Sequence, residues 1–101
     1  MARRPIDLMK AVEHEIASEK AFSLGRVGAR LEALLVELGR LAAAAAAAPT
    51  AEERAPIVAE FNACRSLAVD TYYALQLQRE AMGVKHHETL AAMFPIPPKL
   101  K

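Results

Sequence analysis

Large aromatic side chains are almost absent: the sequence has no tryptophan, two tyrosines and three phenylalanines. A shallow core of mostly small aliphatic side chains is therefore expected for the apolar fraction of 53 %. Cysteine is represented only by Cys64, which excludes an intrachain disulfide and points to a reducing, cytoplasmic setting. Charge of one sign is not in excess. Thirteen basic and twelve acidic residues leave a net charge of +1, so bulk charge selects neither nucleic acid nor an anionic membrane. No long hydrophobic run is present. The alanines from Ala42 to Ala48 are too few to span a bilayer, and Glu37 and Arg40 interrupt the apolar stretch before them. The opening MARRPIDLMK is basic, but Val12 is followed by Glu13, His14 and Glu15 rather than by an apolar core, so no secretory signal is expected. Disorder is excluded by the high apolar content alongside 25 % charged residues.

Helical periodicity dominates what is present. Leu24, Val27, Leu31, Leu34, Leu38, Leu41, Ala45 and Ala48 recur in alternating steps of three and four, the spacing of a heptad seam. Leu35 widens this stripe, and Met9, Val12 and Ile16 project to nearly the same side upstream. Pro5 suits a helix start. The pattern predicts a first helix over about 6–48, with a bend or break near Gly25–Gly28 left open. The alanine run reads as a thin, close-packing helix end, with a low-complexity interaction tract as the weaker reading.

Pro49 ends the first helix, and Thr50 followed by Glu53 has the spacing of a capping box. A second helix is expected over about 51–82, with Pro56 near its start and Gly83 as its stop. Its inward stripe reads Ile57, Phe61, Cys64, Leu67, Ala68, Thr71, Tyr72, Leu75 and Met82, while Val58, Val69, Tyr73 and Leu77 lie off it. Apolar residues on more than one side imply cover on more than one side. A short helix over about 86–93 follows. Residues 95–101 are expected to be extended, because Pro95, Pro97 and Pro98 forbid regular helical bonding. The fold class is thus all-α: one domain over 1–101, built as a long helical hairpin. A first helix of about forty residues is too long for its own chain to cover on this reading, so a homo-oligomeric bundle is expected, a dimer first. Its interface would use Leu24, Val27, Leu31, Leu34, Leu38 and Leu41. Glu13 and Lys20 lie on the same side and could form a register-setting ion pair across two copies; the competing reading is a solvated helix end.

Few residues suggest chemistry. Gln78, Arg79, Glu80, His86 and His87 gather polar groups at the far end of the second helix. Arg79 is the natural fork for an anion or carboxylate, against the plainer reading of a solvated helix end. The three histidines lack Glu-x-x-His or His-x-x-x-His spacing, so no metal site and no cofactor are expected. Cys64 lies on the apolar stripe, where a thiol is usually inert packing. Arg26 and Arg30 are interleaved with acidic residues and lack aromatic company, which argues against nucleic acid. RRPIDLMK is superficially similar to the opening of all-helical chorismate mutases, but the basic residues that follow are out of register, Lys20 arriving too early.

HEIASEKAFSLGRVGARLEALL (His14–Leu35), LQREAMG (Leu77–Gly83) and the proline-rich ending resemble a family of short uncharacterised all-helical bacterial proteins, a domain of unknown function. The resemblance covers about half the chain; the alanine run and the 49–56 linker depart from the pattern. It implies bacterial origin and a helical fold, and marks Glu19, Lys20, Gly25, Gly28, Gln78, Arg79 and Glu80 as positions of interest. The leading expectation is a non-enzymatic homodimeric interaction or adaptor module. The alternative is a small-ligand or enzymatic site between subunits around Arg79, Glu80, His86 and His87.

Overall fold

The structure is a computed structural model that describes the backbone of residues 5–101 and the side chains of residues 25–101. The side chains of Glu13, Lys20 and Leu24 lie outside the described residues. Three helices follow one another: α1 (Pro5–Ala47), α2 (Ala51–Ala81) and α3 (Glu88–Met93). The fold is all-helical, with no strand among the described residues.

α1 is one uninterrupted helix of 43 residues, about 65 Å long at 1.5 Å per residue. Gly25 and Gly28 do not break it. The chain then turns at Pro49, and Thr50 begins α2 with an extended backbone and a hydroxyl that accepts from the Glu53 amide at 3.1 Å. That bond satisfies one of the donors a helix start leaves unpaired. Pro56 lies inside α2 rather than starting it.

Gly83 ends α2 in the way its position suggests. Its φ of 90° is the left-handed conformation that glycine adopts without steric cost. The Gly83 amide donates to the Glu80 carbonyl at 2.9 Å and the Val84 amide donates to the Arg79 carbonyl at 3.0 Å, the paired bonds of a Schellman stop. The reversal starts α3 at Glu88, so His86 and His87 precede this helix rather than belonging to it.

The core lies where α1 and α2 meet. Leu31, Leu38 and Leu41 are at most 2 % exposed, and they pack with Phe61, Ala68 and Leu75 of α2. Leu90 of α3 and Phe94 close the core from one side, with Ile96 and Leu100 of the tail against it. The Phe94 ring faces Gly28, where an added Cβ would stand 3.9 Å away. The expected interface residues Leu31, Leu38 and Leu41 are therefore core residues of the chain itself, while Val27 and Leu34 are half-buried beside them. The short α3 and the tail provide cover that two long helices alone would lack. Both deliver large apolar side chains to the ladder. Burying a leucine contributes about 1.5–3 kcal/mol, and Leu31, Leu38 and Leu41 are buried within the single chain.

The tail is extended and ordered along α2. Arg65 Nε donates to the Pro97 carbonyl at 2.7 Å, and Arg54 Nη1 donates to the Lys101 carbonyl at 2.6 Å. Between them the Asn62 amide engages Leu100. Tail and α3 thus cover one face of the two-helix layer.

Candidate functional site

Two regions concentrate side chains whose placement the core does not explain. One is the polar corner at the end of α2. The glycine reversal folds His87 back by two helical turns, so that its Nε2 meets Glu80 Oε1 at 2.9 Å. Nearby in the chain, Gln78 Oε1 and Arg79 Nε are buried atoms without a hydrogen-bond partner among the described residues, and so is His87 Nδ1. Buried polar atoms are paired in the great majority of cases, since leaving one unpaired costs about 1–3 kcal/mol. Gln78 and Arg79 are half-buried because they continue the stripe of Leu75; His87 is half-buried and His86 is exposed. The structure therefore gathers Gln78, Arg79, Glu80 and His87 at one end of the hairpin and leaves His86 outside.

The second region is the side of α2 away from the tail. Arg65, which holds the tail, and Leu67 lie about 160° apart round the helix at 3.6 residues per turn. Leu67 and Leu77 are 50 % and 66 % exposed, although Leu67 belongs to the stripe expected to face inward. A groove of about 240 Å³ opens here between the two long helices, lined by Val27 and Arg30 of α1 and by Leu67, Asp70, Thr71 and Ala74 of α2. The four α2 residues have the spacing i, i+3, i+4, i+7. That is the hole which receives a knob from a facing helix in a coiled coil. No residue of α3 or of the tail lines this groove.

Cys64 is partly exposed, with its thiol 3.8 Å from the Leu34 carbonyl. Burial pushes the thiol pKa up, and the carboxylates of Glu37 and Glu60 push in the same direction. This environment holds the thiol protonated and disfavours it as a nucleophile. Glu37 itself is held below the usual carboxylate range, first by its hydrogen bonds from Arg40, one helical turn away. A cleft of about 270 Å³ on the tail side is lined by Arg65, Tyr72, Tyr73, Phe94 and neighbours, with the two tyrosine rings edge to face at 6.0 Å between centroids. Among the described residues no group of three or more metal-ligating side chains comes together, and no helix is long and apolar enough to cross a membrane.

Sequence reasoning overlooked Asn62 and Arg65 as anchors of the tail; a polar residue on a helix flank carries no mark of a partner more than thirty positions away. It also placed Leu67 inward, where an offset of about 100° from Ala68 sufficed to expose it.

Comparison with known families, curated proteins and solved structures returns no match to this chain. The resemblance drawn from His14–Leu35 and Leu77–Gly83 accordingly carries no argument below.

Proposed function

We propose that this protein is a non-enzymatic interaction module that works in the cytoplasm by presenting a helix face to another polypeptide, a second copy of itself first. The observation that carries this reading is the apolar surface which α2 turns away from its own core, at Leu67 and Leu77. The opposite face of the hairpin has its cover in α3 and the tail, whereas this one ends in a groove of helix-packing spacing. A stable domain normally buries such a face against another layer. The net charge of +1 places little electrostatic opposition in the way of self-association. Sedimentation velocity over micromolar to submillimolar concentrations tests the reading: a concentration-dependent dimer is expected, and a single compact subunit throughout would overturn it.

The polar corner favours a second reading, a small-anion or carboxylate site. Its specific support is the set of three buried atoms on Gln78, Arg79 and His87 that find no partner among the described residues. Phosphate and acetate titrated into the protein and into an Arg79→Ala variant decide it. Binding that the substitution abolishes while helicity and sedimentation stay unchanged supports the site; no heat of binding for either anion removes it.

A further inference from the structure

We propose that the bare groove is closed by a second copy of this chain, in an antiparallel α2–α2 packing with Ala74 on the twofold axis. This deepens the interaction-module reading and rests on it.

The argument begins with self-complementarity. The hole formed by Leu67, Asp70, Thr71 and Ala74 needs an apolar knob, and the same helix carries one a short way along, Leu77, which is 66 % exposed. Two antiparallel copies of α2 can fill each other's hole at once only in one register. The hole centres between positions 70 and 71, so a Leu77 from the second copy opposite it places the axis close to position 74. Residue 74 is alanine, and a methyl group there lets the two helix backbones approach closely. In the same register Leu67 of one copy faces Ala81 of the other, so each large side chain meets a small one.

Charge permits the arrangement as well. The groove carries one guanidinium, Arg30, and one carboxylate, Asp70. Closure by an identical groove therefore gives equal numbers of each sign. About this axis the two Asp70 positions are eight residues apart along the paired helices, on the order of 12 Å at 1.5 Å per residue, so their repulsion is largely screened at physiological salt. Size is sufficient too. From Ala63 to Ala81 the outward stripe runs about 28 Å, and it is one to two helix diameters wide. Twofold closure then buries on the order of 1,000 Å² in total, near the lower bound for a specific interface. A segment of another protein could supply one knob. Only a second copy supplies both the knob and the hole in matching register with balanced charge.

The test places cysteines in a Cys64→Ala background of the full chain. Ala74→Cys is expected to form a disulfide-linked dimer under oxidised glutathione, while Val36→Cys, on an exposed part of α1, is expected to remain monomeric on a denaturing gel. In parallel, Leu77→Glu and Leu67→Glu in the native sequence are expected to weaken the dimer at least about tenfold by sedimentation, roughly 1.4 kcal/mol or more. Both leucines are exposed in the single chain, so circular dichroism should report unchanged helicity. A dimer that survives both glutamates, or that crosslinks through Val36→Cys and not through Ala74→Cys, overturns this interface and leaves the interaction-module reading standing. The absence of any dimer at submillimolar concentration overturns both.

Discussion

Asn62 treats Leu100 as a strand treats its neighbour: its amide nitrogen donates to the Leu100 carbonyl and its amide oxygen accepts from the Leu100 N–H, each at 3.1 Å. One side chain thereby satisfies both backbone groups of a residue in a segment whose prolines supply few donors. Asn62→Ala should release the tail from α2 and cost about 1–3 kcal/mol, because both Leu100 groups lose their partners. Chemical denaturation measures the loss, and faster proteolysis after residue 94 locates it. Asn62→Asp should do nearly as much harm, since a carboxylate cannot donate to the carbonyl.

Two glycines should respond in opposite directions. At Gly39 an added Cβ meets nothing within 4 Å, and the residue lies inside α1. Gly39→Ala is therefore expected to stabilise the protein by up to about 1 kcal/mol through helix propensity. Gly83 also has open space around it, but its φ is +90°. Gly83→Ala is expected to cost about 1–2 kcal/mol, since a Cβ disfavours that conformation. Thermal unfolding distinguishes them, the first melting higher than the native chain and the second lower.

Cys64 should alkylate slowly. Its pKa is raised chiefly by burial and further by Glu37 and Glu60, so at mildly alkaline pH less thiolate is present than in the unfolded chain. The native thiol holds its proton more tightly than the unfolded one, so this group's contribution to stability declines as pH rises through the thiol range. Iodoacetamide labelling against pH, native and in denaturant, should show the native curve displaced to higher pH. Glu60→Gln should move it part of the way back, leaving the contributions of burial and of Glu37.

The core and the outward stripe should separate cleanly under truncation. Leu31 is fully buried, and Leu31→Ala is expected to cost about 2–5 kcal/mol. Val36 is 73 % exposed on the same helix, and Val36→Ala should change stability by less than about 0.5 kcal/mol. Equal effects in denaturant titrations would contradict the placement of the ladder inside the chain.

The hairpin was legible because its signals are local. The steps of three and four from Val27 to Ala45 need only neighbours one turn away. Thr50 with Glu53 and the stop at Gly83 are likewise short-range patterns. The observed helix bounds, Pro5–Ala47 and Ala51–Ala81, differ from the sequence reading by one residue at most. What covers the ladder was not legible. Leu90 and Phe94 return to residues about sixty positions earlier, and no local rule says on which side of a hairpin a short helix will settle. The polar corner was half legible. Gln78 and Arg79 visibly prolong an apolar stripe, but only the turn at Gly83 decides that His87, and not His86, folds back to Glu80.

The tail also sets an order of events during synthesis. Asn62 and Arg65 cannot engage the tail, nor can Phe94 settle against Gly28, before residues 94–100 exist. A nascent chain that has completed both long helices therefore waits with one side of its leucine ladder open to water. In that interval it is a stickier object than the finished molecule. A chain truncated after residue 93 would make that exposure permanent, and chaperone binding to it should exceed binding to the full sequence.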